Sequence, residues 1–264
     1  MNDFQFHRPE NVAAAVKALK SRPEAKALAG GQSLIPVMKL GLAEPSDLVA
    51  LTGLKELLGI RREAKDLVVG AGETHAAVAE SAEVKAAIPA LTTLAAHIGD
   101  AQVRNRGTLG GSLAHADPSA DYPAAVLALG ATLQTDRRTL PADAFLKGLY
   151  TTALERDELI VSVRFPVPEK AAYQKFAHPA SRFALVGVFV AKGPAGVRVA
   201  VTGTGGGAFR SKELEAALAK RFSADAVAAV SIPSAGFTSD SFASAEYRAH
   251  LVGVLARRAV EACG

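Results

Sequence analysis

ALAGGQSL occupies residues 27–34, and the sequence around it predicts a strand, a tight turn and a helix in succession. A short apolar segment over 26–29 leads into the glycine pair, and apolar residues at helical spacing follow over 34–42. Glycine permits positive φ angles and lets a ligand approach the backbone closely. Gly30 and Gly31 therefore predict a sharp turn, and such a turn is more often a plain connection than a binding site.

The start of the predicted helix has the chemistry of an anion site. Ser33 is a favourable N-cap residue, and we expect the backbone N–H groups of Leu34 and Ile35 to face outward. Free N–H groups and the positive end of the helix dipole together attract anions such as phosphate. The unit thus has two interpretations, a structural connection or one wall of a phosphate site.

A second glycine pair lies in TLGGS, residues 108–112, between the hydroxyl groups of Thr108 and Ser112. It belongs to a polar segment, 99–118, whose composition predicts an irregular loop. Long loops without regular structure tend to be functional in compact domains, although a surface loop is the alternative. Two glycine–hydroxyl loops together could grip a diphosphate from both sides, which is a more specific signal than either pair alone.

The composition is that of a globular protein without a nucleic-acid partner. The 264 residues are 49% apolar and 21% charged, and the formal net charge is +4. Basic residues are spread along the chain and only 6% of residues are aromatic, whereas nucleic-acid binders carry a basic stripe with stacking aromatics. The single cysteine, Cys263, excludes a disulfide framework and any cysteine-ligated zinc or iron–sulfur centre within this chain.

The sequence predicts neither a membrane span, nor a metal site, nor a catalytic residue. The longest strongly apolar stretch, FALVGVFVA at 183–191, is far shorter than the ~20 residues of a span and predicts a buried strand. The histidines lack metal-ligand spacing, and neither Ser33 nor Ser112 has an evident His and Asp partner. Because the first ten residues show no signal-peptide pattern, we expect a cytoplasmic location.

The chain is expected to divide into two domains. The segment FPVPEK at 165–170 is proline-rich and polar, so we place a boundary there, between domains 1–166 and 167–264. The second domain is predicted to be a small α+β unit with three strands followed by helices.

Three separated motifs carry a resemblance to a known family. AGGQSLIPVMKL at 29–40, IGDAQVRNRGTLGGSLAHADPSADYPA at 98–124 and SAEYRAHLVGVLARRAV at 244–260 occur in that order. Together they resemble the FAD-binding medium subunit of the molybdenum hydroxylases, a family that includes carbon monoxide dehydrogenase and xanthine dehydrogenase-type enzymes. The resemblance runs along nearly the whole chain, which makes it more specific than any single glycine pair.

The resemblance implies an α+β fold that binds FAD. The expected architecture is an FAD-binding domain of the vanillyl-alcohol-oxidase (p-cresol methylhydroxylase, PCMH) type, followed by a small α+β C-terminal domain. ALAGGQSL matches the first pyrophosphate loop of the family and TLGGS matches the second. The cofactor-binding residues implied in this way are Ala27, Leu28, Ala29, Gly30, Gly31, Gln32, Ser33, Leu34, Ile98, Thr108, Leu109, Gly110, Gly111, Ser112, Asp121, Leu159 and Lys175.

The resemblance implies that Leu159 and Lys175 lie nearer the flavin ring than the other matching residues, and that Phe183 packs on the ring. Lys175 would offset negative charge on the reduced flavin. Phe183 stands where members of the family often carry tyrosine, so it keeps the aromatic face and loses the hydroxyl group. We hypothesise that Phe183 covers the isoalloxazine ring.

The function implied by the resemblance is electron transfer within a larger complex. Substrate chemistry would occur on a large molybdopterin subunit, and a small [2Fe–2S] subunit would pass electrons to the FAD, in a hetero-oligomer such as a dimer of heterotrimers. The final acceptor, NAD, a quinone or another molecule, stays open. The alternatives are a self-sufficient FAD-dependent oxidase or reductase of the same superfamily, and a non-catalytic assembly or binding protein that lost the cofactor.

Overall fold

The computed structural model describes residues 3–194 and 196–263. Its strands are β1 (Gln5–His7), β2 (Ala25–Leu28), β3 (Asp47–Ala50), β4 (Ile60–Glu63), β5 (Asp66–Gly70), β6 (Thr132–Thr135), β7 (Thr139–Pro141), β8 (Leu146–Gly148), β9 (Thr151–Thr152), β10 (Ile160–Pro166), β11 (Lys170–Ala177), β12 (Ala184–Gly193), β13 (Gly196–Thr202) and β14 (Phe209–Arg210). Its helices are α1 (Val12–Ser21), α2 (Leu34–Lys39), α3 (His75–Glu80), α4 (Ala82–Ala87), α5 (Pro89–Ala96), α6 (Ala101–Arg104), α7 (Leu109–His115), α8 (Tyr122–Ala128), α9 (Ala142–Phe145), α10 (Lys212–Lys220), α11 (Ala224–Ala228) and α12 (Ala245–Ala262), and a 3₁₀ turn covers Lys55–Leu57.

Three parallel strands in the order β1–β3–β2 form the first sheet. Helix α1 connects β1 to β2 and is capped by Asn11, whose side-chain oxygen accepts a hydrogen bond from the Ala14 N–H at 2.8 Å. The helix buries Val12, Ala15 and Leu19, which lie on one stripe of its surface. Strand β2 leads directly into the first glycine pair, so this loop lies at the carboxyl edge of a parallel sheet, where α/β proteins bind ligands.

Five antiparallel strands in the order β4–β5–β10–β6–β7 form the second sheet. Leu67 and Val69 of β5, and Val163 and Phe165 of β10, point to one face and are fully buried. They share a core with helices α3, α4, α5, α7 and α8. The second glycine loop starts α7 and is therefore anchored in this core.

The third sheet has four antiparallel strands, in the order β11–β12–β13–β14, whereas the sequence analysis predicted three. The missed strand β14 is two residues long and pairs with Ala200 and Val201 of β13, so it has no alternation by which to recognise it. Helices α10, α11 and α12 cover one face of the sheet. Tyr173 and Phe189 on the opposite face pack into the core of the second sheet.

The most apolar stretch of the chain forms strand β12, in agreement with the prediction of a buried strand. Its residues 184–191 are all buried because helices or core residues cover both faces of the third sheet. A strand buried on both faces has a continuous apolar run in place of alternation. Within residues 3–194 and 196–263, no helix has both the length and the apolar character needed to cross a bilayer.

The proline-rich segment at 165–170 links the second sheet to the third. Strand β10 ends at Pro166 and strand β11 begins at Lys170. The division into domains 1–166 and 167–264 stays a prediction, since Tyr173 and Phe189 cross from the third sheet into the core of the second.

The polar segment 99–118 is more regular than its composition predicted. It contains α6, capped by Asp100, whose carboxylate accepts the Val103 N–H at 2.8 Å. It also contains α7, capped by Thr108. The prediction of an irregular loop was wrong because two side-chain caps start helices that are too short, at four and seven residues, to show a clear apolar period.

Candidate functional site

A cleft of about 750 Å³ receives both glycine loops. Its volume lies within the range of about 300–1,000 Å³ that is usual for sites of small molecules and cofactors. The predicted site residues on its walls are Ala27, Leu28, Ala29, Gly30, Gly31, Gln32, Ser33, Leu34, Ile98, Thr108, Gly110, Gly111, Ser112, Asp121, Leu159 and Phe183. Leu109 and Lys175 complete the predicted set, and the cleft surface does not include them.

The first glycine loop packs directly on the chain that leads into the second. A Cβ atom on Gly30 would lie 1.9 Å from the Arg106 carbonyl oxygen and 2.8 Å from the Gly107 Cα atom, so only glycine fits there. Gly31 adopts a φ of +74°, in the region that favours glycine. The close approach at Gly30 therefore fixes the position of one loop relative to the other.

The start of α2 differs from the prediction in one respect. The Ile35 N–H donates a hydrogen bond to the Gly31 carbonyl at 3.1 Å, so it does not face outward for a ligand. Ser33 has helical backbone angles and its side chain makes no capping hydrogen bond. The Ser33 hydroxyl group lies on the cleft wall and is not used in helix capping, which leaves it available to a bound group.

The second glycine loop is held by its own cap and by Ala71, the residue that follows strand β5. The Thr108 hydroxyl oxygen accepts a hydrogen bond from the Gly111 N–H at 3.1 Å. The Gly110 N–H donates to the Ala71 carbonyl at 2.8 Å, and a Cβ atom on Gly110 would lie 2.6 Å from the Ala71 Cβ atom. Leu109 points into the core, so it supports the loop from behind and does not line the cleft.

Asp121 on the cleft wall belongs to a buried cluster of charged and polar groups. It is 4% exposed and accepts a hydrogen bond from the Tyr173 hydroxyl group. The Lys175 ammonium lies 2.9 Å from Asp121 Oδ1 and donates to the His97 carbonyl at 3.1 Å. The charge that was expected to act on a flavin is thus already paired with a carboxylate. Burial raises the pKa of Asp121, and Lys175 and Tyr173 oppose that rise.

His75 also lines the cleft, although no sequence motif indicated it. Its backbone N–H donates to the Gly107 carbonyl at 2.9 Å, and its ring packs against Gly107, beneath the second loop. Burial lowers the pKa of the imidazole to about 4, so the ring is neutral at neutral pH. Its position directly after Thr74, a helix N-cap, was the signal available, and this signal is weak in one sequence.

Phe183 lies on the rim of the cleft, immediately before strand β12. Phe183 is 46% exposed, so it is accessible to a bound group. Arg182, beside it, has a φ of +63° and also lines the cleft. The geometry is compatible with a cover for an aromatic ring, and the role of Phe183 stays a hypothesis.

The residues present fit a dinucleotide such as FAD. A Cβ atom on Gly111 would lie 3.7 Å from the Ala29 Cβ atom, so the two loops face each other closely. Neither loop carries an acidic side chain, and Ser33 of the first loop and Ser112 of the second line the cleft. The first loop also presents its glycine backbone, whereas the Gly110 and Gly111 N–H groups are already bonded within the protein. The remaining walls are largely apolar, as a flavin and an adenine require.

Comparisons with known proteins agree with this geometry. Residues 2–168 match the family described as the FAD binding domain in molybdopterin dehydrogenase. The carbon monoxide dehydrogenase medium chain of Hydrogenophaga pseudoflava is 36% identical, over 98% of this chain and 96% of its own length. The nicotine 6-hydroxylase medium subunit of Paenarthrobacter nicotinovorans is 34% identical, over 99% of this chain and 97% of its own length.

The fold agrees as well. Carbon monoxide dehydrogenase from Oligotropha carboxidovorans contains a chain that superimposes with a TM-score of 0.91 at 34% identity, over 99% of this chain and 98% of that one. Sequence and structure thus both match over nearly the whole chain, through both glycine loops and the third sheet. The chain belongs to the family of FAD-binding subunits of the molybdopterin dehydrogenases.

Proposed function

We propose that this chain is the FAD-binding electron-transfer subunit of a molybdenum hydroxylase complex. The observation that carries the proposal is the meeting of the two glycine loops on one cleft. Family membership supports the cofactor, and the absence of a predicted proton-transfer site in the sequence agrees with a subunit that does not act on the organic substrate. FAD, when bound, supplies the redox chemistry.

The chain's own residues would bind and orient the cofactor. The backbone at Gly30, Gly31, Gly110 and Gly111 would surround the diphosphate, with the Ser33 hydroxyl group as a further donor. Leu159 and Ile98 supply apolar wall, and Asp121 supplies a polar part of it, with Lys175 paired to Asp121 behind the cleft surface. Phe183 would cover the ring and exclude water from it.

The partners proposed for the chain are a large molybdopterin subunit and a small [2Fe–2S] subunit. The relatives are named as medium chains or subunits of dehydrogenase and hydroxylase enzymes, which supports a complex of several chains. Within it, electrons would reach this chain from the iron–sulfur subunit and leave to an external acceptor. A dimer of heterotrimers is the proposed assembly, and the cytoplasm the proposed location.

Titration of the purified chain with FAD tests the cofactor proposal. We expect one FAD per chain and a shift of the flavin absorbance on binding. The FAD-loaded chain alone should not turn over an organic substrate, and its flavin should become reduced only when the iron–sulfur and molybdopterin subunits and a substrate are added. Turnover by the isolated chain would favour a self-sufficient oxidase, and failure to bind FAD a cofactor-free binding protein.

Substitution of Phe183 tests the proposed cover. We expect Phe183→Ala to change the absorbance, the potential and the affinity of the bound flavin, since an aromatic face would be lost. Phe183→Tyr serves as the matched control, because it keeps the ring. Unchanged flavin properties in Phe183→Ala would show that this residue lies away from the ring.

A further inference from the structure

Three ionisable side chains meet behind the cleft wall and shield one another from water. Asp121 is 4% exposed, Tyr173 is 2% exposed, and the Lys175 side chain is 3% exposed. The Tyr173 hydroxyl group donates to Asp121 Oδ1, and the Lys175 ammonium contacts both carboxylate oxygens. A buried carboxylate is stable only when its oxygens are paired in this way.

The third sheet is built to deliver the Tyr173 hydroxyl group to this place. Tyr173 and Lys175 alternate on β11 and so point to the same face of the sheet. Gly187 of β12 lies opposite Lys175, and a Cβ atom there would lie 2.4 Å from the Tyr173 hydroxyl oxygen. The space that holds the hydroxyl group therefore exists because residue 187 has no side chain.

Other groups around Asp121 do not replace Tyr173. Immediately after α5, the His97 carbonyl accepts a hydrogen bond from the Lys175 ammonium, and the His97 ring, when charged, lowers the pKa of Asp121. From α8, the Tyr122 hydroxyl group is buried and has no hydrogen-bond partner among the described residues. Tyr173 is thus the neutral donor to the carboxylate, while Lys175 is the cationic one.

We propose that Tyr173 is a positioning residue, whose hydroxyl group keeps Asp121 ionised and therefore keeps Lys175 paired with it. The wall of the cleft then presents a neutral ion pair and not a free cation. Resting on the proposed FAD site, the inference extends to the flavin: Tyr173 limits how much of the Lys175 charge acts on it.

Unfolding measurements on the full chain without flavin test the first part. Burial raises the pKa of Asp121, so the folded chain holds this proton to higher pH than the unfolded chain, and stability falls as pH rises through that interval. Tyr173→Phe removes a donor to the carboxylate and extends the interval upward. Tyr173→Phe should raise the unfolding equilibrium constant relative to wild type. We expect this ratio of variant to wild type to be about tenfold larger near pH 8 than near pH 5.

Two further backgrounds make this test specific to the hydrogen bond. With Asp121→Asn present, the Tyr173→Phe effect should not change with pH, because the carboxyl group is gone. Tyr122→Phe is the matched control, since it removes a neighbouring buried hydroxyl group without a partner and should show no rise with pH. A Tyr173→Phe effect that is equal at both pH values, or that keeps its pH dependence with Asp121→Asn, would overturn the proposal.

A second variant reaches the same hydroxyl group by another route. Gly187→Ala places a methyl group where the Tyr173 hydroxyl oxygen lies. We expect its effect on the unfolding equilibrium constant to be larger near pH 8 than near pH 5, as for Tyr173→Phe. Gly193→Ala in the same strand is its control, because a Cβ atom there meets its nearest neighbour at an ordinary 3.5 Å. If both variants lacked a pH-dependent effect, the proposal would be wrong even where one of them folded poorly.

The potential of bound FAD tests the second part. At acidic pH, Tyr173→Phe should allow Asp121 to take up a proton, which leaves the Lys175 charge unpaired and favours the reduced flavin. A tenfold change in the ratio of affinities for reduced and oxidised FAD corresponds to about 30 mV for two electrons. We expect the potential of FAD bound to the variant to be higher than that of FAD bound to wild type by about this amount near pH 6. Near pH 9 the two potentials should be equal. Coincident curves would refute the action on the flavin, whereas failure of both chains to bind FAD would refute the proposed function and leave the unfolding test in force.

Discussion

The two glycine loops share a sequence pattern, GGQS at 30–33 and GGS at 110–112, but the surrounding structure holds them in different ways. The first loop depends on its neighbour, because Gly30 packs on the backbone of Arg106 and Ser33 makes no capping bond. The second is held locally by the Thr108 cap and by the Gly110 contact with Ala71. The same residue types thus depend in one case on contact with another loop and in the other form a helix start with its own side-chain cap.

This difference explains how the cleft can have a fixed wall and still offer free hydrogen-bond donors to a ligand. The second loop is fixed before any ligand binds, since its N–H groups at Gly110 and Gly111 are already hydrogen-bonded within the protein. The first loop keeps the Ser33 hydroxyl group free. We infer that the second loop provides position, and the first provides the free donors for the diphosphate.

Gly30→Ala should have the largest effect on this arrangement. The added Cβ atom would meet the Arg106 carbonyl oxygen at 1.9 Å, and a backbone atom cannot move aside without displacing a loop. We expect a loss of about 3 kcal/mol in unfolding free energy and at least about a 100-fold loss of FAD affinity. Denaturant unfolding and flavin fluorescence titration measure these quantities.

The control for Gly30→Ala is Gly253→Ala in helix α12, where a Cβ atom meets nothing within 4 Å. This control should stabilise the chain by up to about 1 kcal/mol, because alanine is the better helix former. If Gly30→Ala bound FAD as wild type does, the dependence of the first loop on the second would be disproved.

His75 should make the support of the second loop sensitive to acid. Burial lowers its pKa from 6.5 to about 4, so between these values the unfolded chain binds a proton that the folded chain does not. Stability is therefore lost as pH falls through this interval, by up to about 3 kcal/mol. Denaturant unfolding of wild type and His75→Gln at several pH values isolates the pH-dependent loss of stability that is due to His75.

The matched control for His75 is His250→Gln, which removes a histidine from an exposed position. Its unfolding free energy should keep the wild-type decline between about pH 6.5 and about pH 4. An unchanged decline in His75→Gln would mean that the imidazole becomes protonated in the folded chain.

Gly110→Ala should cost less than Gly30→Ala. Its Cβ atom would lie 2.6 Å from the Ala71 Cβ atom and 2.8 Å from the Ala71 carbonyl oxygen, whereas a Cβ atom on Gly30 would lie only 1.9 Å from a carbonyl oxygen. A smaller shift of the start of α7 would therefore relieve the contact. We expect about 2 kcal/mol in unfolding free energy and about a tenfold loss of FAD affinity. The double variant with Ala71→Gly is the control, and it should recover part of both losses. No recovery would show that the backbone contact alone matters.

The sequence predicted the features that follow from neighbouring residues in the chain. It did not predict contacts between residues that are far apart in the sequence. The turn at Gly30 and Gly31 and the buried strand β12 follow from glycine conformation and a continuous apolar run, both legible in one stretch of chain. The bond between Tyr173 and Asp121 joins residues 52 positions apart, so no local pattern indicates it. Pairing across the fold likewise decides that the Lys175 charge is matched by a carboxylate.

The smallest effect should come from the caps, and it separates the two loops most cleanly. Thr108→Ala removes the hydroxyl oxygen that accepts the Gly111 N–H, at a cost of about 1 kcal/mol in unfolding free energy. Ser33→Ala removes no capping bond and should change stability by less than about 0.5 kcal/mol, while it weakens FAD binding by loss of a free donor. Denaturant unfolding and FAD titration of the two variants side by side give the comparison. Equal costs in stability, with FAD affinity unchanged in Ser33→Ala, would show that the loops do not divide positioning and binding between them.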